Sequence, residues 1–381
     1  MKLIIRGKKE LLDIEEYEQR HVLDFGFFLF EFLSFDFDKF KLKKKMRATT
    51  TIETIQGFCL SAIEISELFF YLLWQEVERE YQRMGGQEED IPVPPGIADK
   101  LNDFAWAFEE KPELDKCRPT QRNAFKEAYT AAIERFITAR DIFSFACKFC
   151  LDMDFMKYST DGFSTQQKWY ILSKSAEYTE PKAFIEQYAE FTEGTSIVQP
   201  GELFYSDSLL HADTDEVYLY AGDVDGVDEP LQMPELIEKY RYAQLEPLKA
   251  YETNSLFGLL YAEFWELVTS GARVRKCALC GKYFIPFSEN SEYCPRIYKD
   301  KGKSCKDYAP MVIHRRKIKQ DELQFIYKKA ENARYMRYKR NPELYKREKF
   351  EAWRAEAAAL LERARRGELS AEEFAEEMKK K

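Results

Sequence analysis

Cys277 and Cys280 stand two residues apart, Gly281 follows directly, and Cys294 and Cys305 complete the set. Two thiolates separated by two residues can bind one tetrahedral ion from a single tight turn. Glycine after the second thiol suits a turn whose amide groups fold back toward sulfur. Four thiolates close the tetrahedron and leave no position for a catalytic water. The predicted chemistry is therefore a structural Zn2+ held by Cys277, Cys280, Cys294 and Cys305. Free thiols and disulfides are the alternatives. Lys276, Lys282, Lys299, Lys301, Lys303 and Lys306 make the segment polar, whereas unligated buried cysteines favour apolar surroundings. The polar start, Met1-Lys2-Leu3-Ile4-Ile5-Arg6-Gly7, does not read as a secretory leader, which argues against disulfides. His314, on the C-terminal side of Cys305, is an alternative fourth ligand; beside Arg315 and Arg316 it also suits a surface near phosphate.

A second pair, Cys147-Lys148-Phe149-Cys150, repeats the two-residue spacing with no further pair of cysteines or histidines to accompany it. On a helix both thiols fall near one face, and the apolar core is the reading there.

The cations around and beyond the four cysteines suggest a second chemistry. Lys282, Arg296, Lys299, Lys301, Lys303, Lys306, Arg315, Arg316, Lys317, Lys319, Lys328 and Lys329 are candidates for phosphate contacts. Arg334, Arg337, Lys339 and Arg340 continue the run, interleaved with Tyr327, Tyr335 and Tyr338, which offer hydroxyl contacts or base stacking. The net charge of −9 hides this asymmetry. Residues 271–350 hold 22 Lys and Arg against 9 Asp and Glu, while residues 1–270 hold 29 against 50. A basic block on an acidic body is an electrostatic footprint for a polyanion. Catalysis is not expected: His21, His211 and His314 are scattered, and no nucleophile elbow, Walker loop or dinucleotide fingerprint occurs.

These groups need elements to position them. A strand is expected at Lys2–Ile5, and Phe25 to Phe40 read as core. Helical periodicity covers 52–83, about 121–150 behind Thr120, and two segments within 162–193 with Pro181 in the first turn of the second. Short strands are expected at 196–198 and 217–220, an acidic turn at 223–229, and a helix from Pro234 to about 269 closed by Gly271. Beyond the cysteines, 311–339 reads as one helix, 342–366 as the next behind Asn341 and Pro342, and Ser370 to Glu373 as a capping box. The fold class expected is mainly α, with a few short strands. The expected division is a mostly helical acidic body at 1–270, a four-cysteine treble-clef or ribbon-like module at 271–316, and a basic helical tail at 317–381.

The string from Cys277 through Cys280-Gly281-Lys282-Tyr283-Phe284, then Tyr293-Cys294-Pro295-Arg296, then Gly302-Lys303-Ser304-Cys305, resembles a C-terminal pattern in a family of uncharacterised bacterial proteins often found with mobile elements. The ending, Arg365-Arg366-Gly367-Glu368-Leu369-Ser370, is similar to the same family. The knuckle also resembles the CGNR-type zinc fingers of bacterial transcription regulators, although Cys305-Lys306-Asp307-Tyr308 stands where their signature would be. That resemblance implies zinc at the four cysteines and DNA binding. Together these features predict a cytoplasmic zinc-finger protein that binds nucleic acid, DNA before RNA, with the acidic body free to hold a protein partner or a second copy. The alternative is a zinc-stabilised protein-interaction scaffold. The longest apolar run, Leu68 to Trp74, is too short for a membrane span.

Overall fold

The computed structural model describes residues 1–6, 9–14, 19–43, 45–87, 90–156, 159–198, 217–219, 246–299 and 302–380. The acidic turn at 223–229, His211 and the start of the helix expected at Pro234 lie outside these residues. Helices dominate, and the chain divides into two compact units, Met1–Cys294 and Pro295–Lys381.

The first unit opens with a meander of three strands, β1 (Lys2–Arg6), β2 (Lys9–Ile14) and β3 (Gln19–Asp24). They join β4 (Thr192–Val198), β5 (Val217–Leu219) and β6 (Glu246–Glu252) in one antiparallel sheet of order β4-β6-β1-β2-β3-β5. Side chains alternate across a strand, so register decides what each face buries. Leu3 pairs with Leu12 and Ile5 with Glu10, and this face belongs to the main core. Ile4, Leu11, Val22, Leu248 and Ala250 form a smaller apolar cluster of their own on the sheet.

The short helix α1 (Phe27–Ser34) follows the meander. Phe28, Phe32, Phe35 and Phe37 are buried among Phe58 and Phe136, the core role expected of the phenylalanine-rich stretch. Each such side chain contributes about 1.5–3 kcal/mol of hydrophobic stabilisation. The helix expected over 52–83 is two helices, α2 (Ala48–Ile63) and α3 (Glu67–Arg83). The break has a local cause: the Ser66 hydroxyl accepts from the Phe69 amide and starts a new helix. The long helix α4 runs Pro119–Cys150, with proline at the position that loses no hydrogen bond. Two turns of 3-10 helix, Ala98–Lys100 and Ala105–Ala107, lie between α3 and α4. The helices α5 (Thr165–Lys174) and α6 (Thr179–Tyr188) follow, the first with a Ser164/Gln167 capping box.

The expected helix up to residue 269 is corrected. Glu246–Glu252 is strand β6, paired between β4 and β1, and α7 spans only Leu256–Thr269. Pro247 cannot supply an interior helical N–H, and the Ser255 hydroxyl caps the Gly258 amide, so the helix begins after it. Gly271, at φ 74°, ends the segment as expected.

In the second unit, α8 (Cys305–Gln320) and α9 (Glu322–Arg340) replace one continuous helix. The Asp321 carboxylate accepts from the Gln324 amide at 2.9 Å and caps the second helix. After a turn over 341–346 come α10 (Arg347–Arg365) and α11 (Ala371–Lys380), so α10 starts later than Asn341 and Pro342 predict. The Ser370/Glu373 capping box opens α11 as expected. Tyr327, Trp353, Ala357, Leu361, Phe374 and Met378 give α9 to α11 a core of their own. Among the described residues, no helix is long and apolar enough to cross a membrane.

Candidate metal centre

The knuckle is fastened to the helical body by backbone pairing and a salt bridge. Past Gly271 the chain lies beside the end of α4: the Val274 amide donates to the Leu151 carbonyl at 3.0 Å, and the Met153 amide donates to the Val274 carbonyl at 3.1 Å. The Arg275 guanidinium forks onto Asp154, with Nε and Nη2 at 2.7 and 3.0 Å from the two carboxylate oxygens. Its Nη1 donates to the Glu289 carbonyl at 2.7 Å and so also holds the loop between the second and third cysteines. Two short strands, β7 (Arg275–Lys276) and β8 (Tyr283–Phe284), flank the first cysteine pair. Tyr283 is buried, with its ring 6.4 Å from that of Phe30.

The knuckle's hydrogen bonds follow from its sequence. The Gly281 amide donates to the Cys277 carbonyl and the Cys277 amide to the Lys282 carbonyl, both at 2.9 Å. Gly281 has φ 79°, and a Cβ there would meet nothing within 4 Å; glycine is required for the backbone angle, not for space. The Ala278 amide donates to the Glu292 carbonyl, and the Cys294 amide donates to Cys277 Sγ at 3.4 Å. That bond ties the backbone of the third cysteine to the sulfur of the first. Cys305 is the first residue of α8, where the helix dipole favours negative charge.

The four sulfurs lie within 4.8 Å of one another. Cys280 Sγ and Cys294 Sγ are 3.7 Å apart, far beyond a disulfide bond of about 2.05 Å. A tetrahedron with bonds of about 2.3 Å to zinc has an edge of about 3.8 Å between sulfurs. Cys277, Cys294 and Cys305 are buried, and Cys280 is half-buried. This donor set can hold a metal ion, and four protein sulfurs leave no open coordination position. His314 lies on α8, about 13 Å from Cys305 by helical rise, and the four cysteines complete the set without it.

The other C-x2-C pair lies in the core at the end of α4. Cys147 and Cys150 are both buried, and among the described residues neither joins a group of ligands. Burial pushes the Cys150 thiol up to about 12 and raises that of Cys147 as well, so both stay protonated.

The cation candidates fall into different environments. Lys282 forms an ion pair with the buried Glu31 of α1. Lys328 pairs with Glu331, which is buried and also holds Arg354 at 2.8 Å. Arg296 is half-buried, and its carbonyl accepts from the Cys305 amide at 2.8 Å. Lys299 is exposed at φ 41°, with its ammonium 5.6 Å from the Tyr298 ring. Lys303, Lys306, Arg315 and Lys329 are exposed. Arg316, Lys317 and Lys319 sit on the α8 backbone with side chains outside the described set; Lys301 lies outside it altogether.

The sequence reading missed a pair of buried carboxyls on the main core. The buried side chains of Glu10 on β2 and Glu263 on α7 hydrogen-bond to each other. Glu10 accepts from the Gly26 and Phe27 amides, and Glu263 from those of Phe28 and Leu29, at 2.6–3.3 Å. Together they satisfy the amides at the start of α1. Burial pushes Glu10 up to about 7, and burial with the neighbouring Glu10 raises Glu263, so the pair holds a proton. These carboxyls act as caps, and α1 in turn carries Glu31 to Lys282. No short-range signal marks the pair, because Glu263 lies more than 200 residues from Glu10 and from the Phe28 and Leu29 amides.

Residues 236–381, which include α7, all four cysteines and the helical second unit, match the model of a family of unknown function (DUF6076). That description names neither mobile elements nor CGNR-type fingers. Neither the search of curated proteins nor that of solved structures found a match.

Proposed function

We propose that Cys277, Cys280, Cys294 and Cys305 hold a structural Zn2+ and that the chain binds nucleic acid, DNA before RNA, through the cations between 296 and 340. The observation that carries the second half is the charge of α8. This helix starts at a candidate ligand, Cys305, and carries Lys306, Arg315, Arg316, Lys317 and Lys319. Its one acid, Asp307, is engaged with the Ser304 hydroxyl at the helix start. Residues 295–340 hold 15 Lys and Arg against 5 Asp and Glu, whereas 341–381 hold 10 of each. In the latter stretch several charges pair, as in Arg347–Glu351, Arg363–Glu368 and Arg365–Glu362. A surplus of cations on a helix whose start is fixed by a metal suits phosphate binding.

The test is a gel shift on random-sequence DNA and RNA with protein of known metal content. If α8 neutralises about five phosphates, duplex affinity falls roughly 10^2- to 10^3-fold between about 50 and about 200 mM salt. Replacing Lys306, Arg315, Arg316, Lys317 and Lys319 by glutamine flattens that dependence. Salt-insensitive binding, or none, overturns the reading. A stoichiometric protein partner in the absence of nucleic-acid binding supports the scaffold instead.

A further inference from the structure

The corner where α9 meets α10 combines exposed aromatic faces with a dense set of cations. Tyr335, Tyr338 and Phe350 form a ladder that ends on the buried Trp353. Tyr338 and Phe350 stack at 6.3 Å and 9°, Tyr335 lies 5.8 Å from Phe350, and Phe350 stacks on Trp353 at 6.3 Å. The inner end belongs to the three-helix core, while Tyr335, at the outer end, is 45% exposed. The turn after α9 is tied to itself, with the Leu344 and Tyr345 amides donating to the Asn341 carbonyl at 3.2 and 3.0 Å. It nevertheless leaves Leu344 77% and Tyr345 45% exposed. An ordered turn that presents large apolar side chains to water marks a contact surface.

The charge indicates the partner. Residues 334–350 hold seven Lys and Arg against two acids, Glu343 and Glu348. Arg347 pairs with Glu351, while Arg337, Lys339, Arg340, Lys346 and Lys349 are exposed. Crowding of like charge is felt inside the corner. The Arg334 guanidinium, which lies 4.7 Å from the Trp353 ring, is held below its ordinary value by burial and then by the neighbouring Arg337.

We propose that this corner takes single-stranded nucleic acid, with bases stacked on the faces of Tyr335 and Tyr345 and phosphates held by the surrounding lysines and arginines. The inference rests on the nucleic-acid reading above and narrows it. A duplex keeps its bases stacked within itself and would use only the cations. Unpaired bases offer free faces to aromatic rings whatever the sequence.

The experiment is fluorescence anisotropy of the full chain with a labelled oligothymidylate and with a duplex of matched length, at fixed salt. Tyr345→Ala lies on an exposed turn and leaves the helical core intact. Tyr335→Ala touches the ladder and is read alongside a thermal melt. Either variant weakens binding to the single strand about five-fold or more and leaves duplex binding within about two-fold. Replacing Arg337, Lys339 and Arg340 by glutamine weakens both. Equal losses on the two ligands, or an unchanged single-strand affinity in Tyr345→Ala and Tyr335→Ala, overturns the proposal. Preferential binding of wild type to anionic phospholipid vesicles over the oligonucleotide overturns it too, and assigns the corner to a membrane surface. Duplex binding that depends on the α8 cations while Tyr335 and Tyr345 are indifferent defeats this inference alone. Failure to bind either nucleic acid defeats the parent reading with it.

Discussion

Cys147–Cys150 and Cys277–Cys280 share one spacing and meet opposite fates. The first pair lies on a helix in an apolar core, where burial keeps both thiols neutral. The second lies on a turn closed by the Gly281 amide on the Cys277 carbonyl, with two further sulfurs within 4.8 Å. The motif alone does not make a candidate ligand pair; the backbone around it does. The contrast extends to the surroundings. Near Cys147 even a carboxyl, Glu263, is held toward its protonated form by burial and by Glu10, whereas the knuckle is held by formal charges, Arg275 on Asp154 and Lys282 on Glu31.

The largest difference is expected from the cysteines. Cys277→Ser with Cys280→Ser abolishes metal binding and makes the segment after Gly271 sensitive to protease. Structural zinc in small finger peptides carries roughly 10–16 kcal/mol of apparent binding energy. Metal analysis and limited proteolysis read the effect.

A smaller effect separates the two regions by pH. Glu10 has a folded value of about 7 against an ordinary 4.5. A raised folded value favours the protonated native state, so this contribution is full below about 4.5 and is lost as pH rises through about 7. The loss is on the order of 1–3 kcal/mol. Wild type therefore melts lower at pH 8 than at pH 6, and Glu10→Gln flattens the dependence.

Lys282 sharpens the comparison at the knuckle. Its partner Glu31 is buried, so Lys282→Gln costs stability, about 1–3 kcal/mol in a denaturant melt, and changes nucleic-acid affinity less than two-fold. Lys306→Gln, on an exposed residue, does the reverse. The smallest effect is that of Cys147→Ala with Cys150→Ala: about 1–2 kcal/mol of stability and no change in metal content.

The parts of this architecture legible in the sequence are those with local causes. The ligand set shows in cysteine spacing and Gly281, the end of α7 in Gly271, the start of α11 in Ser370 and Glu373, and the core in the phenylalanines of 25–40. What depends on distant partners was not legible. Strand β6 reads as helix by composition and becomes a strand because β1 and β4 pair with it. Asp321 splits an apparently continuous helix with one side-chain bond. Lys282, read as a phosphate contact, has Glu31, far away in sequence, beside it. Tyr327, read as a base contact, lies in the core of the three helices with Trp353.

X-ray absorption at the zinc edge of purified protein tests the central claim most directly. One zinc per chain in a shell of four sulfurs at about 2.3 Å is expected. A shell containing nitrogen or oxygen donors, protein without metal, or a disulfide linking Cys280 to Cys294 would contradict it.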